Sequence, residues 1–466
     1  MEDTQGKLHK KLSTRHVNMI ALGGSIGTGI FLASGYSIAL GGPGGAMIGY
    51  LLISIIVYFL MTSLGELSVY RPSSGSLCDY GYEYVSESFG FAMGYNYWLS
   101  WAITIAAEIS AASLTMAYWF PHIHSLYFSI LFFSIIVLFN IFSVRLYGEL
   151  EYMMSFIKVA VIIVFIVLGF CVIFSKPDTV VHNFTIGDAP FHNGMMGFIS
   201  VFLFAGYAFQ GTELIGVASG EVKEPEKAIP RAVKMVFWRI SLFYILSVFV
   251  VSALLPYSDP RLLNQNNVLT SPYTLLFSSY LGRYAGDCIN FIILIALLSA
   301  ANASLYSSSR VLWFLAQRNK KSSPIAKLSN QGVPTLALYI TAFIGALAFM
   351  SSFIKNGQLF TILVTIASIS CFVAWWGIAI IHYQFRTKYL KNKTDKLLYK
   401  AKFYPYSQLI AVSVISLIVI AQFITFDSSM SFLDKLAVYL GTLPFFVLYA
   451  WHKLFLNKKV NQNNKI

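Results

Sequence analysis

Charge is what this sequence of 466 residues lacks. Asp, Glu, Lys and Arg together make up 11%, against 57% hydrophobic and 16% aromatic residues. A soluble globular chain carries about 25% charged residues, so the composition argues against a water-exposed fold. Cysteine is scarce too: Cys78, Cys171, Cys288 and Cys371 show no C-x-x-C or Cys/His spacing, so neither a disulfide framework nor a metal site is indicated. No Asp or Glu lies between Asp3 and Glu66. The eight histidines fall in loops or at the ends of apolar runs, where solvated or interfacial positions are expected.

What is present instead is apolar length. Gly44 to Leu64 and Cys288 to Ser309 carry no Asp, Glu, Lys or Arg, and about 20 such residues cross a bilayer. About twelve spans are read: 17 to 39, 44 to 68, 91 to 119, 125 to 144, 153 to 174, 194 to 219, 236 to 256, 285 to 313, 335 to 354, 358 to 383, 406 to 425 and 433 to 452. Basic residues alternate with them. With the N-terminus inside, the inner segments hold 27 Lys and Arg and the outer segments five, Lys176, Arg261, Arg283, Lys355 and Lys435. This asymmetry sets the orientation, with both termini cytoplasmic. The net charge of +13 is therefore a property of the inner loops, not a nucleic-acid patch. The first span has no small-residue cleavage pattern and is expected to remain.

No soluble domain fits between the spans. RPSSGSLCDYGYEYVSESFG, from Arg71, is expected to lie along the cytoplasmic surface with its aromatics at the headgroups. Spans 1 and 6, five apart, both concentrate Gly and polar residues at their centres, in GGSIGTG and AGYAFQGTE. Five spans that start inside, followed by five that start outside, have opposite topology, the layout of an inverted repeat whose halves each open on a broken helix.

The stretch ALGGSIGTGIF from Ala21 resembles a phosphate-binding turn, but a dinucleotide fold wants an acidic residue about 20 positions later, and none is there. Two readings remain. Gly23 and Gly27 form G-x-x-x-G, a helix-packing face. Alternatively the helix unwinds. Four glycines in seven residues, at about 1 kcal/mol each in a helix interior, are more than close packing requires. The freed N–H groups of Gly27, Thr28 and Gly29 would then suit a carboxylate. In span 6, unwinding between Gly206 and Gly211 would present carbonyls around Tyr207 and Gln210 to an ammonium group; a kinked but continuous helix is the other reading. Together the two breaks would form a receptor for a zwitterion.

Ionisable groups within spans cost about 2.5 to 3.5 kcal/mol each and mark function by default. They are Glu66, Glu108, Lys158, Glu213, Glu221 and Asp287. Lys158 either snorkels to the inner interface or carries a proton at depth. Glu108 is either satisfied by neighbouring Ser and Thr or is the counter-charge of a cationic substrate. No nucleophile and base stand at a recognisable spacing, which argues against an enzyme, and no repeated ring of pore charges argues for a channel.

GGSIGTGIF, MTSLGEL, FQGTELIGVASGE followed by IPRA, and the lone lysine of span 5 resemble the amino acid permeases of the amino acid/polyamine/organocation superfamily, and within it the bacterial lysine-specific permeases. The resemblance runs from about residue 8 to 455. It implies an all-α integral membrane protein of twelve transmembrane helices, a leucine-transporter-like 5+5 inverted repeat with helices 1 and 6 broken. Repeat 1 covers 17–175 and repeat 2 covers 192–384. A basic leader (1–16), a basic loop (385–405), two extra helices (406–453) and a tail (454–466) complete the chain.

It further implies that the substrate carboxylate meets Gly27, Thr28 and Gly29, and its amino group meets carbonyls near Ser25, Tyr207 and Gln210. Lys158 matches the span 5 lysine of the family, with Ser299 and Asn302 beside it or lining the pocket, and Glu213 and Glu221 match acidic residues used for transport. Glu108 takes the place of an aspartate of the lysine-specific permeases, one methylene longer, and Asp287 has no counterpart. The function implied is proton-coupled import of a basic amino acid, L-lysine, across a bacterial cytoplasmic membrane, with the substrate, protons and lipid as partners and no cofactor. The alternatives are a permease for neutral or aromatic amino acids, or a lysine-binding sensor that signals through a partner.

Overall fold

A computed structural model describes residues 26 to 463 except 74, 143, 223, 263–270, 320–322, 355, 392–396 and 425–430. Among them the regular structure is helical: α1 (Thr28–Phe31), α2 (Ala33–Tyr70), α3 (Ser76–Tyr84), α4 (Glu87–Met116), α5 (Ser125–Phe142), α6 (Val144–Ser175), α7 (Pro177–Thr185) and α8 (Gly194–Phe209). Then follow α9 (Leu214–Ala218), α10 (Pro225–Leu254), α11 (Pro272–Leu281), α12 (Arg283–Asn319), α13 (Thr335–Gly345), α14 (Asn356–Gln384), α15 (Tyr406–Ile424) and α16 (Phe432–Asn463). Eight long helical segments are apolar enough to cross a membrane, and Ser125–Ile141, Leu242–Leu254 and Thr335–Ser351 are shorter apolar ones.

Expected boundaries appear as local backbone events. The gap between the first two spans falls inside α2, where Gly42 leaves helical geometry (φ 74°, ψ 172°) just before Pro43, a residue that cannot donate to the preceding turn. Ser86 starts α4 by accepting the Phe89 N–H at 3.2 Å. Ser271 caps α11 in the same way and also donates to the Phe31 carbonyl at the end of α1, at 2.6 Å.

Burial ranks the helices. In its most apolar stretch α4 is 89% buried, whereas α15 is 33% and α16 28% buried, so α4 is the axis of the bundle and the last two helices lie at its edge. Lipid tails give helices little hydrophobic reason to associate, so polar bonds and close backbone approach count for more. Asn96 donates to the Ser370 carbonyl at 2.9 Å and Ser100 to the Ala367 carbonyl at 3.1 Å, joining α4 to α14. Ser368 joins α14 to α8 through the Leu203 carbonyl at 2.7 Å.

Three expectations are corrected. Residues 145 to 152, read as an inner loop because Arg145, Glu149 and Glu151 make them polar, are helical and extend α6; Glu151 is fully buried. The aromatics of α3 do not sit at headgroups. Tyr80, Tyr82 and Tyr84 are buried against the bundle, where Tyr80 donates to the Arg71 carbonyl at 2.8 Å. His382 is neither solvated nor interfacial; it is fully buried, with Nε2 3.1 Å from Glu66. A sequence window sees a polar residue's type but not the partner that makes its burial tolerable.

Candidate functional site

Both helix interruptions meet beside α4. Gly27 lies outside helical geometry (φ −147°, ψ −143°) and α1 starts at Thr28 with no side-chain cap, which leaves its first N–H groups free for an anion. Gly29 lies against α8 so closely that a Cβ there would come within 2.3 Å of the Ala208 Cα. Only a residue without a side chain lets the two helices touch at this point.

The second interruption falls later than expected. α8 continues through Phe209, and the Gln210 N–H bonds to the Gly206 and Tyr207 carbonyls at 3.1 and 3.2 Å, so the Tyr207 carbonyl is used within its own helix. The chain turns over residues 210 to 213 and resumes as α9. Gly211 takes φ 104° there, a left-handed value that strains any side chain. Gln210 pins the turn to α4, its amide donating to Ser100 Oγ at 3.1 Å and Thr104 Oγ1 at 3.0 Å.

Glu108, fully inside the bundle on α4, faces the start of α1. Its carboxylate accepts the Thr28 N–H at 3.3 Å from both oxygens, the Thr28 hydroxyl at 2.5 Å and the Tyr207 hydroxyl at 3.1 Å. Every one of these donors is neutral. Thr28, one of the three residues expected to receive a ligand carboxylate, thus holds a carboxylate of the protein. Beside it, Trp101, Thr104, Gln210, Ala300 and Ser304 enclose about 10 Å³ of water-accessible space, room for about one water.

Glu213 is the other carboxylate at a break. It accepts the Gly211 N–H at 3.2 to 3.3 Å and the Trp375 indole N–H at 3.2 Å. Lys158 is fully buried, 3.6 Å from Glu151 on the same helix and within electrostatic reach of Glu108. Ser299, on α12, reaches Lys158 through Glu151, donating to that carboxylate at 2.7 Å. Asn302 accepts from Asn140 at 2.6 Å and so ties α12 to α5, outside the small enclosed space. Ser25 and the Glu221 side chain lie outside the described residues.

Sequence reading missed Glu151, Trp101 and Ser304. Glu151 stands seven positions before Lys158, two turns along one helix face, a spacing that would have identified it. Trp101 and Ser304 carry no such signal, because only the tertiary fold selects them from among other aromatics and serines.

A sequence model of the amino acid permease family matches residues 16–465. Lysine-specific permease LysP of Escherichia coli is 44% identical, over 96% of this chain and 94% of its own length. LysP of Lactococcus lactis is 41% identical, over 98% and 91%. Histidine permease HisP of L. lactis is 40% identical, over 98% and 97%. The crystal structure of the Eremococcus coleocola manganese transporter aligns over 98% of this chain and 99% of its own with a TM-score of 0.61 at 13% identity, a likeness of fold alone.

Proposed function

The chain belongs to the amino acid permease family, a multi-pass membrane protein that takes an amino acid as substrate, and from that premise we propose that it is a proton-coupled importer of L-lysine. It would work by alternating access in a bacterial cytoplasmic membrane, with both termini inside and the twelve-helix, 5+5 layout read from the sequence. The observation that carries the reading is Glu108, a buried carboxylate seated on the α1 break among neutral donors.

The chemistry follows from what displaces it. An amino acid carboxylate arriving at α1 would take over the Thr28 N–H and hydroxyl, so no donor is left unpaired. Glu108, released, then needs a cation. A basic substrate supplies one in its side chain, whereas a neutral amino acid leaves a bare buried charge, which is costly. The face of Trp101, lining the same space, adds attraction for an ammonium group. Enclosed space for one water cannot hold lysine, so α1 and α8 must separate from α4 and α12 to admit it. Lys158, paired with Glu151 and sensed by Glu108, is the proposed carrier of the coupled proton.

Labelled lysine uptake into proteoliposomes, competed with lysine, ornithine, arginine, histidine, leucine and tyrosine at two pH values, tests this. The expected result is strong competition by the basic amino acids and little by leucine or tyrosine. Equal competition by leucine would sink the role of Glu108. Binding without turnover would leave a sensor in place of a transporter.

A further inference from the structure

Glu151 has no role in the account above, yet it is fully buried in the same helix as Lys158. Its partners among the described residues are Lys158 at 3.6 Å and Ser155 at 3.4 Å from α6 and Ser299 at 2.7 Å from α12. Among the described residues the charged groups near it are Lys158 directly and, through Lys158, Glu108 on α4. Lys158 is thus paired with one carboxylate and within electrostatic range of a second, in a region closed to water.

A net charge in such a place is costly. Three ionised groups would leave one surplus negative charge, so a proton held on the cluster restores neutrality. Glu108 opens onto the site at α1. Glu151 lies seven residues nearer the N-terminal end of α6, about 10 Å along the helix, on the side read as cytoplasmic.

We propose that Glu151 is the exit carboxylate of the transport cycle, taking the proton from Lys158 and passing it to the cytoplasm while Ser299 orients it. This rests on the proton-coupled reading above. In the first step the Lys158 Nζ–H bond breaks and an O–H bond forms on Glu151, turning ammonium and carboxylate into amine and carboxylic acid with no change in net charge. In the second, once the inner side opens, that O–H gives its proton to water, leaving a carboxylate and a hydronium ion. The neutral amine of Lys158 is then ready for the next proton from the Glu108 side.

The test compares the full-length wild type with Glu151→Gln, Glu151→Asp and Ser299→Ala in proteoliposomes. Two assays are run on each: lysine accumulation under an inside-alkaline gradient, and lysine–lysine counterflow at equal pH, which needs no net proton movement. For Glu151→Gln the ratio of accumulation to counterflow is expected to fall at least tenfold, because the amide cannot accept the proton. Glu151→Asp is expected to restore accumulation, and Ser299→Ala to shift its pH profile.

Wild-type accumulation by Glu151→Gln would overturn the proposal. So would an equal loss of both activities that Glu151→Asp does not repair, which would make Glu151 a brace for the helix pair. If the wild type itself exchanges lysine but does not accumulate it under the gradient, the proton-coupled reading falls first.

Discussion

Glu66 and Glu108 are both buried carboxylates, on helices that pack within one bundle, and they are held in opposite ways. Glu66 is matched by a cation. Arg386 Nη2 donates to one oxygen at 2.7 Å, as does the Ala401 N–H at 2.6 Å, while Arg386 Nε stands 2.6 Å from the other in ion-pair contact and His382 Nε2 lies 3.1 Å from it. Together they tie α2 to the end of α14 and to the loop before α15. Among the described residues Glu108 takes its hydrogen bonds from the neutral donors of Thr28 and Tyr207. A carboxylate matched by a guanidinium is a fixed joint, because any exchange strands a buried charge. One held by neutral donors can trade them for a substrate and remain free to seek a cation.

The largest effect expected from this contrast is on stability. Glu66→Gln leaves Arg386 buried without its partner, a loss of about 3 to 5 kcal/mol. Thermal unfolding in detergent should show a large fall in midpoint for Glu66→Gln and almost none for Glu108→Gln. The transport result should be the reverse. Glu108→Gln is expected to lower lysine uptake about 100-fold, equivalent to about 2.7 kcal/mol, with folding intact. Similar melting losses for the two variants would erase the distinction between joint and receptor.

Arm length sharpens the same point. Glu108→Asp keeps the charge but withdraws it by one methylene from the Thr28 N–H, already 3.3 Å away. Uptake is expected to fall about tenfold, with the order of preference shifting towards arginine, the longer substrate; the readout is KM for lysine, ornithine and arginine. An unchanged order would mean that Glu108 does not meet the substrate side chain. Lys158→Ala is expected to abolish gradient-driven accumulation while lysine still competes for the site, and retained pH-dependent accumulation would remove the coupling role.

Much of this was legible in the sequence because membrane burial imposes a pattern on composition: charge-free runs, and glycines clustered where helices stop. The α1 start at Thr28 follows from Gly27 and Gly29 and needed only residue types, whereas Gly206 and Gly211 announced a break in span 6 without its position. What was hidden depends on pairing. Glu151 reads as a loop residue until Lys158 and Ser299 are seen around it, and His382 reads as interfacial until Glu66 is. The second break was expected across Tyr207, but that residue stays helical with its hydroxyl bonded to Glu108, and the chain yields only at Gln210, where α4 offers two hydroxyls in exchange.

The smallest effect belongs to a third carboxylate, Asp188, which is exposed. The Tyr257 hydroxyl at 2.6 Å, His192 Nδ1 at 2.6 Å and the Asn193 N–H at 3.3 Å all favour its charged form. They hold its pKa down at about 2, from an ordinary value of 3.8. A folded pKa below the unfolded one adds stability that is fully present above the unfolded value and disappears as pH falls through the folded one. The contribution is therefore constant between about pH 5 and 8 and fades only from about pH 4 towards 2. Asp188→Asn is expected to lower the melting temperature slightly, by the same amount at pH 5 and pH 8, and to leave the pH profile of uptake unchanged. A gap between variant and parent that changes across that range would mean that protonation of His192, not the charge of Asp188, governs the contact, and the loop that holds both would then join the pH-responsive part of the molecule.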